Sequence, residues 1–491
     1  MSVVARQGIK YTMVGYAGFL LGALSTYFLF PYHFEFYGTL SYIMSMAEIF
    51  VPIVVFGISY ANVKFFYHTH SLGKHQNIFF LSLGMIVFNF LLFSLLFFGI
   101  HWLFPSLQFS ERWNYKWYIL PLVLILSLSH LCNRYASNFK RIAIPNIFEN
   151  IFPKMANVLA FSAFILGVVS AISLGIFVGV FFMALLGYWM YLQRLEKFQW
   201  EIRTDFIKKD GFYKSFLNYS FFSFLGNIGN FIAIKIDKVM IGDYISMQEV
   251  GIYSAILGII SLISMPQLGL FSISAPIINT YLEENNMEAL DKFHKKTSLS
   301  LFFLGTLLFT GLLSGFPYLT MFIKNGMYLL ESEPVIWILG SAILIDLATG
   351  FNGNIISLSK YYRFNILVML LLAFLTIFTN YLFLSFTDLG IVGVALATAI
   401  SLLLYNVIKL VFNYKKFNVH PITIEMILLA IISFLAVIIA TYLPEFRYPL
   451  VNLIYKPLVA IGIVLLGNHF FKLMPLDEYL NKGFLKKLFG K

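Results

Sequence analysis

The sequence has almost no cysteine: Cys132 is the only one among 491 residues. A single thiol cannot form an intramolecular disulfide, and its isolation excludes a cysteine-based metal cluster. Charge is also scarce, because charged residues make up 12% of the chain, against about 25% in a typical soluble domain. With 59% hydrophobic residues, the chain has too little polar surface to fold in water. The composition therefore predicts a membrane protein.

Long polar stretches are missing as well, and this leaves no room for a soluble catalytic domain on either side of a bilayer. Windows of about 20 residues locate about fourteen candidate transmembrane helices. The first follows a basic N-terminus and is longer than the apolar core of a signal peptide, so we expect it to be retained. The predicted spans are 9–30, 37–60, 78–104, 117–133, 152–168, 171–192, 216–236, 251–273, 299–316, 335–358, 364–386, 391–412, 422–443 and 450–471.

The distribution of lysine and arginine predicts the orientation of these spans. If the N-terminus is cytoplasmic, 27 of the 34 basic residues fall in cytoplasmic segments and 7 fall outside. Positive residues concentrate on the cytoplasmic side of membrane proteins, so both termini are expected in the cytoplasm. The net charge of +11 is thus explained by membrane insertion and predicts no nucleic-acid partner.

A weak internal repeat suggests the domain organisation. The second and eighth predicted helices each begin with Gly-x-x-Ser and carry a proline 14 or 15 residues after the glycine. The residues are Gly38, Ser41 and Pro52 in one copy and Gly251, Ser254 and Pro266 in the other. Internal repeats are common in transporters, although a chance match between small-residue helices is the alternative. We predict an all-α polytopic membrane protein with a six-helix N-terminal lobe (1–192), a cytoplasmic inter-lobe loop (193–215), a six-helix C-terminal lobe (216–420), helices thirteen and fourteen (421–471) and a basic cytoplasmic tail (472–491).

The segment "IDKVMIGDYISMQEVGIYSAILGIISL", residues 236–262, resembles the signature region of the polysaccharide transporter family. The family comprises the O-antigen and capsule-type flippases of the multidrug/oligosaccharidyl-lipid/polysaccharide (MATE-like) exporter superfamily. The segment "FLFPYHFEFYGTLSYIMSMAEIF", residues 28–50, is similar to the same region of the first lobe. The resemblance implies a flippase that moves undecaprenyl-pyrophosphate-linked oligosaccharides from the inner to the outer leaflet. It also implies membrane lipids and polysaccharide assembly proteins as partners.

The seventh predicted helix carries the strongest candidate for a substrate cavity. At about 100° per residue, one face is polar over five turns, and Lys235 flanks it. Such a stripe is costly against lipid and should line the bundle interior or a water-filled cavity. A basic residue at a predicted cytoplasmic helix end, Arg134, can bind phosphate oxygens. The predicted cavity residues are Asn227, Asn230, Lys235, Asp237, Lys238 and Arg134. The alternatives are interface anchoring of Lys235 and Lys238 and, for Arg134, a purely topological role.

Two carboxylates lie deep in predicted spans, Glu48 in the second helix and Asp346 in the tenth. An ionisable group inside the bilayer is a functional candidate, and proton or sodium coupling needs a group that binds and releases a cation. Helix packing through a protonated carboxyl is the alternative for each. No cofactor is expected, and His68, His70 and His75 have no acidic or cysteine neighbour in their loop that would complete a metal site.

No nucleophile triad, phosphate loop or nucleotide motif is present, so transport without catalysis is expected. Two other functions remain as alternatives. A cation-coupled drug or metabolite antiporter of the same superfamily would require a net acidic cavity, whereas the seventh helix has two lysines against one aspartate. A membrane-embedded polysaccharide polymerase would require a large outer loop. The sequence does not identify the sugar.

Overall fold

The computed structural model describes residues 3–106, 110–139, 141, 143–199 and 211–475, and within them the chain is helical with no strand. A 3₁₀ turn, Phe30–Tyr32, joins the first two helices. The helices are α1 Val3–Phe28, α2 Phe34–Val55, α3 Ile58–Ser71, α4 His75–Leu103, α5 Glu111–Asn114, α6 Lys116–Ser137, α7 Ala143–Asn150, α8 Phe152–Ile165, α9 Ser170–Leu195, α10 Phe212–Tyr244, α11 Met247–Glu283, α12 Met287–Thr320, α13 Gly326–Glu331, α14 Glu333–Thr349, α15 Asn352–Leu358, α16 Tyr362–Phe386, α17 Gly390–Phe417, α18 Ile424–Tyr442 and α19 Pro449–Phe471.

The prediction of an all-α polytopic membrane protein is confirmed. Within the described residues, eleven helices are long and apolar enough to cross a membrane, or twelve if α14 and α15, bent by 47°, form one span. The two remaining predicted spans are α8, which has only 14 residues, and α10, whose 33 residues include the polar face. The count of fourteen therefore stays a prediction. Outward-facing leucines such as Leu91 and Leu95 of α4 are exposed, as a lipid-facing surface requires.

The fifth predicted span is a broken helix. α7 and α8 are separated by Ile151 alone, near the prolines that the sequence offers as helix breakers, Pro145 and Pro153. Because α7 already supplies two turns, Lys154 follows the break instead of beginning the span. Lys154 therefore lies in the first turn of α8.

The helices divide into two compact units. The first comprises Met1–Gly258 and Met369–Val394, and the second comprises Ile259–Val368 and Ala395–Lys491. The predicted division into lobes at residues 193–215 and the predicted tail at 472–491 lie largely outside the described residues, so that division stays a prediction.

In the first unit α2 is the central helix, and it packs against α6 and α10. Near its start the backbone of α2 crosses that of α11 at the two glycines of the repeat. A Cβ built on Gly38 would lie 1.7 Å from the carbonyl oxygen of Met247 and 2.8 Å from the amide nitrogen of Gly251. A Cβ on Gly251 would lie 1.9 Å from the carbonyl oxygen of Phe34. The matched glycines therefore allow a backbone-to-backbone contact that no larger residue permits.

α2 ends at a sharp break before α3. Phe56 and Gly57 are both left-handed, with φ of 46° and 69°, and a Cβ on Gly57 would lie 2.0 Å from the carbonyl oxygen of Ser220 in α10. A break in an apolar helix frees backbone carbonyls that lipid cannot satisfy. Asn89 of α4 donates a hydrogen bond to the carbonyl oxygen of Val54 at 3.0 Å, which meets this requirement.

The second unit is built around α12, which packs against α14, α18 and α19. Near the C-terminal end of α12, the Tyr318 hydroxyl donates a 2.6 Å hydrogen bond to Glu445 in the α18–α19 connection. This hydrogen bond lowers the pKa of the Glu445 carboxyl. α14 is separated from α15 at Gly350, whose φ of 57° and ψ of −127° are accessible to glycine alone.

Candidate functional site

The polar face of α10 lies inside the first unit. Ser220 is fully buried, and its hydroxyl donates to the carbonyl oxygen of Phe216 at 2.9 Å. Asn227 donates from Nδ2 to the carbonyl oxygen of Ser223 at 2.6 Å, and its Oδ1 accepts from the Tyr60 hydroxyl at 2.9 Å. The Asn227 amide is thus held between α10 and the start of α3, and Asn230 on the same face is half-buried.

Arg134 of α6 joins this group through Tyr60. Its guanidinium carbon lies 4.7 Å from the centre of the Tyr60 ring, and its Nη2 donates to the Tyr60 hydroxyl at 3.2 Å. The Arg134 Nε is buried and makes no hydrogen bond to a described residue. A guanidinium with spare donors in a partly dehydrated place is suited to bind an anion.

A small recess adjoins these residues, with room for about one water molecule. His130 stands at its wall, and the Nδ1 of His130 lies 2.7 Å from the Ser59 hydroxyl. The lining residues are Val51, Pro52, Val55, Gly57, Tyr60, His130, Phe224, Asn227 and Phe231. Phe231, expected at the edge of the polar face, therefore borders the same space as Asn227.

Lys235 and Glu48 form an ion pair between α10 and α2. The Lys235 Nζ lies 2.6 Å from Glu48 Oε2, and the two side chains are 27% and 20% exposed. Lys154 of α8 is close enough to Lys235 for the two ammonium groups to repel each other. Lys235 thus has a carboxylate partner, and the sequence could not reveal this pairing because the two residues are far apart along the chain.

Asp237 and Lys238 complete the charged end of α10. Asp237 is 4% exposed and accepts hydrogen bonds from the Tyr253 hydroxyl at 2.8 Å and from the Asn380 amide at 2.7 Å. Lys238 interacts electrostatically with Lys235, Glu48 and Asp237.

Around the polar face of α10, then, four cationic side chains accompany two carboxylates. The cations are Arg134, Lys154, Lys235 and Lys238, and the carboxylates are Glu48 and Asp237. Both carboxylates are already occupied by partners within the unit. The surroundings of this face are therefore positive and favour an anion over a cation.

Asp346 lies in the second unit, on α14. Its Oδ1 accepts a 3.0 Å hydrogen bond from the Asn406 amide, and Lys409 interacts with it electrostatically. Lys409 is 6% exposed, and its ammonium lies 3.7 Å from the centre of the Tyr405 ring. Lys409 was counted among cytoplasmic residues in the topology, but it lies inside the apolar helix α17. Polar residues at every fourth position of α17 could have revealed it: Ser401, Tyr405, Lys409 and Asn413.

The loop histidines do not form a metal site in the described part of the chain, where no group of three ligating side chains comes together. The rings of His70 and His75 lie 4.6 Å apart. The Nε2 of His75 lies 2.5 Å from Glu196 Oε1, so an acidic partner does come from α9, far along the sequence. This pair connects the start of α4 to the region after α9.

The polar face of α10 can be tested with single cysteines in a Cys132→Ser background. We expect Asn230→Cys and Ile234→Cys to react quickly with a membrane-impermeant thiol reagent. Ile234 is 57% exposed and lies two turns from Asn227 on the same face. Phe221→Cys is the matched control because Phe221 is 44% exposed but lies about 120° away around the helix. Equal labelling at all three positions would contradict a water-bordering face confined to this side of α10.

Residues 5–282 match a protein family described as "polysaccharide biosynthesis protein", and the match covers more than half of the chain. No curated protein matches the sequence. The structure is similar to the lipid II flippase MurJ in an inward closed conformation, at 15% identity and a TM-score of 0.69, over 95% of this chain and 98% of that one.

Two other transporters of the MOP superfamily also share the fold. An inward-facing multidrug resistance MATE family transporter has 13% identity and a TM-score of 0.61, over 82% of this chain and 94% of its own. A transporter from Pyrococcus furiosus, described by the reverse polarity of its binding pocket, has 14% identity and a TM-score of 0.50, over 85% and 93% of the two chains. At this identity the likeness establishes the fold, and the sequence match establishes the family: the chain belongs to the polysaccharide biosynthesis protein family.

Proposed function

We propose that the protein is a flippase that moves an undecaprenyl-pyrophosphate-linked oligosaccharide, an O-antigen, capsule or exopolysaccharide repeat unit, from the inner to the outer leaflet. The observation that carries this proposal is the positive charge around the polar face of α10, where four cationic side chains surround two carboxylates that already have partners. A pyrophosphate is the anion that such a lipid-linked sugar brings. Membership of the family and the MOP fold support the same conclusion.

The residues would act by binding alone, since translocation makes and breaks no bond. Arg134 would engage phosphate oxygens with the donors that Tyr60 leaves unused. Asn227 and Asn230 offer amide donors and acceptors to the headgroup. Lys235 and Lys238 provide charge, and Asp237, held by its two hydrogen bonds, keeps that end of α10 in place. The headgroup would exchange water for these groups while the lipid tail stays in the bilayer, and alternating access would then expose it on the other side.

Energy for net movement would come from a proton or sodium gradient acting on Glu48 and Asp346. Each has a lysine within electrostatic range, Lys235 for Glu48 and Lys409 for Asp346. Protonation of either carboxylate would release its lysine from attraction and raise the local positive charge. We place the protein in the bacterial cytoplasmic membrane with both termini in the cytoplasm, beside polysaccharide assembly proteins.

A cation-coupled antiporter for drugs or metabolites is the second candidate, favoured by the similarity to the multidrug MATE transporter. In that case Glu48 would be expected to bind the cation instead of pairing with Lys235. The charge balance of the first unit opposes this function, because a cationic substrate would meet four positive side chains.

The proposal predicts flipping by the purified protein in proteoliposomes that contain a fluorescent undecaprenyl-pyrophosphate disaccharide. Dithionite bleaching of the outer leaflet measures the rate. We expect Lys238→Glu to reduce the rate about tenfold or more, because about 1.4 kcal/mol of lost attraction already gives that factor, and Lys238→Gln to reduce it less. A matched control is Lys415→Glu at the exposed end of α17. Efflux of ethidium without flipping of the lipid would instead establish the antiporter.

A further inference from the structure

We propose that His294 relays protons inside the second unit, between the start of α12 and Asp346. The proposal rests on the proposed coupling through Asp346 and adds the route by which a proton would reach that carboxylate. It involves a group of buried polar residues at the break between α14 and α15, none of which carries a role in the substrate cavity.

The centre of the route is a triad of buried polar side chains. Asn413 donates from Nδ2 to the Oδ1 of Asn352 at 2.7 Å and to its backbone carbonyl oxygen at 3.2 Å. The Nε2 of His294 lies 3.2 Å from the same Oδ1. All three side chains are 1% exposed or less. Burying polar side chains to this degree is costly, so such side chains are retained where they are needed.

The hydrogen bonds fix the tautomer of His294. Since Asn352 Oδ1 already accepts from Asn413, it can only accept from His294, so Nε2 carries the ring proton and Nδ1 is the basic nitrogen. His294 Nδ1 makes no hydrogen bond to any described residue, and the Ser298 hydroxyl one turn along α12 is likewise unpaired in that part of the chain. The basic nitrogen is therefore available to take a proton.

The same group has further unused hydrogen-bonding capacity toward α17. Asn352 Nδ2 is an unpaired donor and Asn413 Oδ1 an unpaired acceptor among the described residues. One donor and one acceptor side by side are the partners that a water molecule needs. Gly350 lies at this point, and a Cβ there would meet the Ser298 hydroxyl at 2.0 Å. Glycine therefore keeps the space around Ser298 and His294 open.

From Asn413 the polar face of α17 leads to Asp346. Asn406 lies seven residues earlier, about 10 Å along the helix, and donates to Asp346 Oδ1. Thr349 donates to the Oδ1 of Asn406 at 3.3 Å. Lys409 lies between them, with its ammonium 3.5 Å from the position that a Cβ of Gly353 would take. About three hydrogen-bonded waters would cover this distance.

At the other end, His294 lies one turn from a partly exposed ionic group. Asp291 pairs with Lys295 at 2.6 Å, and their side chains are 20% and 32% exposed. The backbone amide of His420 donates to Asp291 Oδ1 at 3.0 Å. The charged and titratable groups that act on His294 are Asp291, Lys295 and His420, and those that act on or beside Asp346 are Lys409 and Tyr405.

The relay consists of successive proton transfers that leave His294 neutral at the end. A proton from water at the α12 end adds to the Nδ1 of neutral His294 and gives an imidazolium. The imidazolium then releases that proton from Nδ1 to a water on the side of Asp346 and is neutral again. The proton then reaches the Asp346 carboxylate and gives the carboxylic acid, while Nε2–H stays bonded to Asn352 throughout.

The test measures protonation of Asp346 without any substrate, in purified full-length protein in nanodiscs. A rapid drop in pH is followed by time-resolved infrared spectroscopy, and the Asp346 carboxyl band is the one lost in Asp346→Asn. We expect His294→Gln, which keeps the hydrogen bond to Asn352 but cannot carry a proton, to slow the appearance of this band at least tenfold with the same final amplitude. His469→Gln is the control, since His469 is exposed on α19.

Chemical rescue separates a relay from a structural role. Added imidazole should restore the rate in His294→Ala, whereas pyrazole, which has the same shape but is a far weaker base, should not. Rescue by both compounds would show that His294 acts only through packing. An unchanged rate in His294→Gln, or the absence of an Asp346 band in the unmodified protein, would overturn the route. Because no lipid-linked oligosaccharide is present, these results stand apart from the flipping assay, whose failure would concern the proposed cargo alone.

Discussion

Gly38→Ala is expected to destabilise the protein by at least about 3 kcal/mol, at the upper end of what overpacking costs. The new methyl group would lie 1.7 Å from the carbonyl oxygen of Met247 and 2.8 Å from the amide nitrogen of Gly251. Both atoms belong to the backbone of α11, so no side-chain rotation can make room and the helices must separate. Gly251→Ala should have the same effect, because its methyl group would meet the carbonyl oxygen of Phe34.

The measurement is the unfolding free energy from a titration with sodium dodecyl sulfate in mixed micelles. Gly84→Ala in α4 is the matched control, because no atom lies within 4 Å of a Cβ at that position. Alanine there should be neutral or stabilising by up to about 1 kcal/mol. If Gly38→Ala and Gly84→Ala unfold at the same detergent fraction, the close crossing of α2 and α11 is wrong.

Glu48→Gln is expected to cost about 2–3 kcal/mol of stability, since removal of one partner leaves a partly buried charge without compensation. Three lysines would then remain at this place, Lys235, Lys238 and Lys154, and Lys235 already repels each of the other two. The double variant Glu48→Gln with Lys235→Gln removes the unpaired charge as well, and we expect it to recover at least half of the loss.

The comparison of the two single variants and the double variant forms a thermodynamic cycle. A coupling energy near zero would show that Glu48 and Lys235 do not interact in the protein. The double variant is also the proper test of ion coupling at Glu48. A transport defect in Glu48→Gln alone would have two possible causes, the loss of a cation-binding carboxylate and the loss of the ion-pair partner of Lys235. A defect that persists in the stable double variant would belong to coupling.

Local patterns in the sequence were enough to predict the helical fold and the polar face of α10. Residues such as Ser220 and Asn227 repeat at the helical period, and this requires no knowledge of their neighbours. The repeat pointed to Gly38 and Gly251 as equivalent positions, but it could not show that the two glycines touch each other. Two residues can hold equivalent positions in a repeat without touching each other in the structure.

What escaped prediction depended on contacts between distant segments. The Glu48–Lys235 pair joins helices separated by about 190 positions, and no local period reports it. The burial of Lys409 was missed for a different reason. The topology rule counts every lysine near a helix end as cytoplasmic, so this buried lysine of α17 was included among the 27 basic residues assigned to cytoplasmic segments. The break between α7 and α8 also escaped prediction, because a hydropathy window does not detect a break at Ile151.

The break between α2 and α3 has a consequence for how the chain is made. The carbonyl of Val54 has its side-chain partner in Asn89, which emerges from the ribosome some thirty-five residues later. During synthesis the second helix therefore enters the bilayer before its partner exists, and an unbroken helix is then the conformation that satisfies the backbone. The left-handed turn at Phe56 and Gly57 can become stable only once α4 has been inserted beside it. Maturation of this corner therefore follows the insertion of α4, and it depends on one amide in an otherwise apolar segment.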